Sequence, residues 1–264
     1  MQINHDLTSK KNLMELSSSR DFSASTPINM KYLILGSPRS GSTLVSRILF
    51  ETKMAGDPLE FFNGYLLELA CRISGQKELS FDRFLAEMKL RRTSPNGVFG
   101  MQLHYSQLLM RFSSDSINNP MIGFVHDFDK HIWLRRRNKL RQAISFVIAK
   151  KTGAWSSEDQ KKNEKLEAED ISMIEVLSAL RFVSFNDYGW ESLISAAKLD
   201  VHEVWYEDLI ANYQSVCSGI FNYLQITSNI EMVPSPPISK QGTDLNEKLF
   251  SDALHWLGVN QELV

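Results

Sequence analysis

The stretch Met30–Thr43, MKYLILGSPRSGST, constrains the fold more than any other part of the chain. Its first seven residues form a short, nearly all-apolar run closed by glycine, the pattern of a strand covered on both faces. Gly36 and Gly41 then bracket a turn. After it, Leu44, Val45, Ile48 and Leu49 recur at helical spacing in STLVSRILFET. A buried strand, a glycine turn and a helix start leave amide donors and partial positive charge above the turn, which favours an anion there.

The rest of the chain repeats this alternation. VFGMQL, KHIWLRR and VHEVWYE read as further strands. Between them, FDRFLAEMKLRR, YSQLLMRF, KLRQAISFVIAKK, a long stretch over ISMIEVLSALRFVSFNDYGWESLISAAK, and DLIANYQSVCSGIFNYLQI read as helices. DPLEFFNGYLLELACRI is expected to turn and then run as a helix from about Leu59, and SSEDQKKNEKLEAED to be a solvated linker or an exposed helix start. After a proline break, a last helix closes the chain. The predicted fold class is α/β: a P-loop-like central parallel sheet flanked by helices, with ligands at the carboxyl ends of its strands.

Totals narrow the function classes. With 264 residues, 43% hydrophobic and 23% charged, the chain can bury a full core and sits near the upper size of one domain. A net charge of -2 argues against nucleic acid as partner. Cys71 and Cys217 lie far apart in apolar helical stretches, which argues against a disulfide framework or a zinc cluster and fits a reducing, cytoplasmic setting. No uninterrupted apolar segment approaches the ~20 residues of a transmembrane helix. Residues 1–29 are polar and serine-rich, lack the apolar middle of a secretory signal, and are expected to form a flexible or loosely docked tail. A single domain is expected over 30–264.

A nucleotide triphosphatase would carry lysine where this chain has Ser42. The nearby cation is instead Arg39, inside the turn. There it can touch the bridging oxygen between a nucleotide 5′-phosphate and a group being transferred, acting as a charge stabiliser and not as a base. Ser40, Ser42 and Thr43 add hydroxyls, and the amides of about Ser40 to Thr43 would face the ligand. A second anion site is expected where Arg135, Arg136 and Arg137 end a strand and Ser145 follows in the next helix. Arg141 reads as a helix-face residue. The two sites together suit a ligand with separate 5′ and 3′ phosphates.

On the acceptor side, AGDPLEFF supplies Asp57 and Glu60. Partial desolvation between Phe61 and Phe62 would raise the Glu60 pKa and improve it as a base, whereas Asp57 before Pro58 reads as a turn or N-cap residue. His104, at the end of a predicted strand, is the competing base. Phe61, Phe62, Tyr65, Tyr105 and Trp155 read as core in preference to a sugar-stacking wall.

GSPRSGSTL, AGDPLEFFN, SPNGVFG, LRRRNKLRQAISF and KKTGAW, in this order, resemble the trehalose 2-sulfotransferase-like family, strongly from about Met30 to Trp155 and more weakly beyond. The resemblance implies a sulfotransferase fold and the donor 3′-phosphoadenosine 5′-phosphosulfate, with adenosine 3′,5′-bisphosphate as product and no metal. On it, Ser37, Pro38, Arg39, Ser40, Gly41, Ser42 and Thr43 form the 5′-phosphosulfate loop. Arg136 and Ser145 hold the 3′-phosphate, with Arg137 a one-residue alternative. Glu60 falls on the family's proposed general base. A lysine frequent in the family is replaced here by Gln102. The implied reaction is in-line transfer of a sulfuryl group to a hydroxyl of a carbohydrate or glycolipid acceptor, and pairing of two copies is compatible with the family. Two other readings stay open: a Mg-dependent nucleotide kinase or triphosphatase, and a non-catalytic nucleotide-binding module on the same fold.

Overall fold

Strand β1 (Met30–Gly36) alternates between two cores: Leu33 and Leu35 face one apolar cluster, Tyr32 and Ile34 the other. That period of two, with both faces apolar, is why the run reads as continuous hydrophobicity. The computed structural model describes residues 16–22, 26–75, 77–112, 120–156, 166–226, 235–237 and 244–258. After β1 come α1 (Ser42–Glu51), α2 (Gly64–Ser74), α3 (Phe81–Arg92), β2 (Val98–His104), α4 (Tyr105–Phe112) and α5 (Pro120–His126). The second half holds β3 (Lys130–Arg135), α6 (Lys139–Thr152), α7 (Met173–Ala197), β4 (Val201–Trp205), α8 (Tyr206–Ala211), α9 (Tyr213–Tyr223) and α10 (Asp244–Trp256).

The strands form one parallel sheet in the order β2-β1-β3-β4. The chain steps from β1 to β2 on one side and then crosses back to β3 on the other, so the strand order reverses at β1. A parallel sheet opens a crevice at the carboxyl ends of its strands at that point. The register brings the ends level. Gly36 pairs with His104 on one side and Leu134 on the other, and Leu134 pairs with Val204. Helices α2 to α5 and part of α7 cover one face; α1, α8 and α9 cover the other. A third apolar cluster joins α6, α7 and α10. The expected α/β architecture with a central parallel sheet is what the chain adopts.

Three local expectations change. The helix expected from Leu59 starts at Gly64, capped by the Asn63 side chain on the Tyr65 amide. Leu59 instead makes a parallel bridge to Met101. The backbone hydrogen bond from Gln102 N–H to the Leu59 carbonyl (2.9 Å) holds that stretch extended beside β2. The expected helix after β4 breaks at Asn212 into α8 and α9. The charged stretch read as a linker lies largely outside the described residues.

Asp57 is neither a turn nor a cap residue. Its side chain is fully buried between Arg20 and Arg92, with Arg92 Nη1 donating at 3.0 Å. Arg20 also lies over the Phe50 ring at 4.0 Å, and Arg91 pairs with Asp21 at 3.0 Å. Residues 16–22 are therefore docked, through Leu16, Arg20 and Asp21, on a stretch where composition suggested a loose tail. Composition counts polar residues and carries no information on whether each finds a buried partner.

Removing the acid from such a triad leaves two buried guanidinium groups without a counter-charge. Asp57→Ala is expected to lower the unfolding free energy by about 3–5 kcal/mol, measured by urea denaturation. A loss below about 1 kcal/mol would show that the triad does not hold this segment.

Candidate active site

The turn after β1 is held from beneath before any ligand is considered. The fully buried Gln142 of α6 donates its amide to Ser37 Oγ (2.8 Å) and to the Pro38 carbonyl (2.7 Å). The Trp190 indole of α7, also fully buried, donates to the Gly36 carbonyl at 2.9 Å. Lys139 pairs with Asp187 and donates to Gln142 Oε1 at 3.4 Å, which orients that amide. These contacts offset a strained backbone: Arg39 sits in the left-handed region at φ 63°, and Gly41 follows at φ 96°. A Cβ on Gly41 would also stand 2.5 Å from the Tyr206 ring, so glycine is required there twice over.

Gly41 caps α1, whose first amides open onto the turn. The Ser40 N–H is already committed to the Ser37 carbonyl (3.1 Å), so the expected set of amide donors loses its first member. The Ser40 hydroxyl is fully buried, with no hydrogen-bond partner among the described residues. It lies 3.0 Å from where a Cβ on Gly36 would stand. Ser42 is buried, while Arg39 and Thr43 are half-buried. The polar atoms of Ser37 and Pro38 serve as the underside of the loop.

The second predicted anion site meets the first. Arg39 Nε donates to Ser145 Oγ at 3.0 Å, and Arg39 Nη1 to the Trp155 carbonyl at 2.5 Å. Arg136 Nη1 donates to the Arg39 carbonyl at 3.2 Å, with its guanidinium 4.8 Å from the Tyr206 ring centroid. Burial pushes the Arg136 guanidinium below its ordinary value, while Tyr206 and Glu207 push it back up. An arginine remains charged under such a shift. Its Nε is buried with no partner among the described residues. Arg137 turns outward, in a two-pronged pair with Asp208 at 2.7 and 2.8 Å that pushes its guanidinium up. Arg135 pairs with Glu203 at 2.8 Å. Arg136 is thus the arginine of the three that contacts the loop backbone.

Glu60 lies beside β2, near the same rim. Its Oε1 accepts from the Gln102 amide (2.7 Å) and its Oε2 from the Gln107 amide (3.1 Å). His104 Nδ1 stands 3.7 Å from Oε2. The two candidate bases are neighbours. Three of the aromatic residues weighed as a sugar wall pack on other aromatic side chains: Phe61 stacks on Phe99 at 5.9 Å, Tyr105 meets Trp190 at 5.7 Å, and Trp155 meets Phe146 at 5.8 Å. Among the described residues, no group of three His, Cys, Asp or Glu side chains could hold a metal ion, and no helix is long and apolar enough to cross a membrane. Both cysteines are free thiols, Cys217 buried and Cys71 partly so.

Sequence reading missed Gln142, Trp190, Tyr206, Gln107 and the Lys139–Asp187 pair. Gln142 left one signal, a polar residue beside Ala143 and Ile144 on the buried side of α6. Trp190 and Tyr206 left none, because an aromatic residue in a helix is ordinarily core.

Residues 31–250 match the family described as Stf0 sulphotransferase. Two curated relatives, both named Trehalose 2-sulfotransferase, align over 82% of this chain and 91% of their own length. The protein from Mycolicibacterium smegmatis is 24% identical and that from Mycobacterium tuberculosis 22%. Similar solved structures include the sulfotransferase domain of the curacin biosynthetic pathway, at 15% identity and a TM-score of 0.47, covering 90% of this chain and 93% of that domain. Another is the sulfotransferase domain of the Synechococcus PCC 7002 olefin synthase, at 17% identity and a TM-score of 0.44, covering 91% of both chains.

The conformation of the turn is itself testable. Gly41→Ala is expected to cost about 2 kcal/mol or more of stability in urea denaturation, from left-handed strain and the Tyr206 clash together. Adding Tyr206→Ala should relieve the clash but not the strain. A Gly41→Ala protein as stable as wild type would mean that the turn does not take this form.

Proposed function

The chain belongs to the Stf0 sulphotransferase family, and from that premise we propose that it transfers the sulfuryl group of 3′-phosphoadenosine 5′-phosphosulfate to a hydroxyl of a carbohydrate or glycolipid. The observation that carries this reading is the double contact of Arg39, bonded through its side chain to Ser145 and through its carbonyl to Arg136. The two expected phosphate sites are therefore within one nucleotide's reach of each other. Two buried groups with unmet hydrogen-bonding capacity among the described residues, Ser40 Oγ and Arg136 Nε, fit an anionic ligand.

In this reading the α1 amides from Gly41 onward, with Ser40, Ser42 and Thr43, hold the 5′-phosphosulfate. Arg136 and Ser145 hold the 3′-phosphate. The donor supplies an activated sulfonate whose leaving group is a phosphate. Arg39 leaves Ser145 for the bridging oxygen, where its fixed positive charge meets the charge that develops as the bond breaks. Glu60 takes the proton of the acceptor hydroxyl, with His104 beside it as the alternative base. Most of the rate gain comes from positioning and preset dipoles, since no described side chain needs to form a covalent bond. The curated relatives make a carbohydrate the first acceptor class to try. A cytoplasmic setting is part of the proposal.

Calorimetry separates this donor from a nucleoside triphosphate. Adenosine 3′,5′-bisphosphate is expected to bind tightly and ATP weakly, and Arg136→Ala to lose at least tenfold in bisphosphate affinity, a magnitude on the order of one charged hydrogen bond. Equal binding of ATP, with Arg136→Ala unchanged, would end the donor assignment. Glu60→Gln should retain bisphosphate binding while transfer falls by ~100-fold or more. An unchanged transfer rate would move the base role to His104.

A further inference from the structure

Glu60 is held by an arrangement that the proposed reaction does not by itself require. Each of its two oxygens accepts from a different glutamine, Gln102 on β2 and Gln107 on α4. A glutamine amide can present either its NH2 or its oxygen, and only the NH2 can donate to a carboxylate. In both cases a second hydrogen bond makes the choice. The buried Ser46 hydroxyl of α1 donates to Gln102 Oε1 at 2.8 Å, and the His104 backbone N–H donates to Gln107 Oε1 at 3.0 Å. With its oxygen engaged, each amide turns its NH2 to Glu60.

We propose that Gln102 and Gln107 are positioning residues that hold Glu60 as an aimed carboxylate, with Ser46 and the His104 amide deciding which end of each glutamine faces it. The inference rests on the sulfuryl-transfer reading for its catalytic consequence, but the geometry stands apart from it. Donors to both of its oxygens favour the ionised form of a carboxylate. They also fix the plane of the carboxylate. A base is useful only when it is both unprotonated and directed at the hydroxyl it serves. The path reaches from α1, whose N-terminus opens on the anion loop, to Glu60. Helix α1 thus bears on both halves of the site.

The test follows the Glu60 carboxyl carbon by 13C NMR in the full chain, assigned by its loss in Glu60→Gln. His104 is the titratable neighbour at 3.7 Å, so the midpoint is read from the carboxyl itself and not from a rate. Replacing the buried Gln102 risks unfolding, so Ser46→Ala probes that end and Gln107→Leu the other. In each variant the carboxyl midpoint is expected to rise by about half a pH unit or more, because a donor to the charged form is lost or misdirected. For sulfuryl transfer to a hydroxyl acceptor, kcat is expected to fall about tenfold because the carboxylate loses its aim, which outweighs the greater basicity of a higher midpoint, while affinity for adenosine 3′,5′-bisphosphate changes little and unfolding stays cooperative, with a thermal midpoint lowered by only a few degrees. Midpoint and kcat both unchanged in the two variants would overturn the positioning role. Shifted midpoints in a protein that transfers sulfonate to no hydroxyl would overturn the transfer reading and leave the positioning intact.

Discussion

The pairing of β1 with β2 on one side and β3 on the other is the constraint on which the site depends. Parallel registers are set by side chains that must enter the correct core, and a slip of one residue would exchange the faces of Tyr32 and Leu33. Because both registers are fixed from β1, Gly36, His104 and Leu134 end in one row. The turn, the second base candidate and the arginine segment all emerge from that row. None of them is near another in the chain, and the sheet alone makes them neighbours.

A row of strand ends does not yet hold a strained loop. Arg39, a non-glycine residue held in the left-handed region, would relax without outside help. Help comes from α6 and α7, which reach under the turn with Gln142 and Trp190. Both side chains are fully buried, so their donors would be costly to leave unmet, and the loop supplies the acceptors. Helix packing and loop geometry are therefore one problem. The α6–α7–α10 cluster, far from the turn in sequence, packs the helices that carry Gln142 and Trp190.

What the chain made legible follows from range. The β1 turn and the alternation of strands and helices are local patterns, and the fold bears them out. Which of Arg136 and Arg137 meets the turn was not a local matter. It depends on Asp208, seventy-one residues on, which draws Arg137 outward, and on the Arg39 carbonyl, which receives Arg136. Asp57 misled for the same reason: Asp-Pro is a turn signal, yet its partners Arg20 and Arg92 lie on elements that only the folded chain brings together. Gln102 was read as a lost cation. In the fold it is an oriented donor, which the residue type alone could not disclose.

The absence of lysine at Ser42 acquires a physical sense in this setting. A lysine in the helix N-terminus would project over the end of a phosphate chain, as a point charge for a terminal group. An arginine inside the turn sits lower and to the side, and its planar fork can serve two acceptors at once. Here its acceptors include Ser145 and the Trp155 carbonyl. Both are neutral groups, and an anion placed beside the fork would compete with them through a charge-assisted bond roughly twice as strong as a neutral one. On the proposed reading, an anion would draw Arg39 from Ser145 and free that hydroxyl for a second phosphate. The two proposed sites would then need no moving domain to act together, since one side chain spans them.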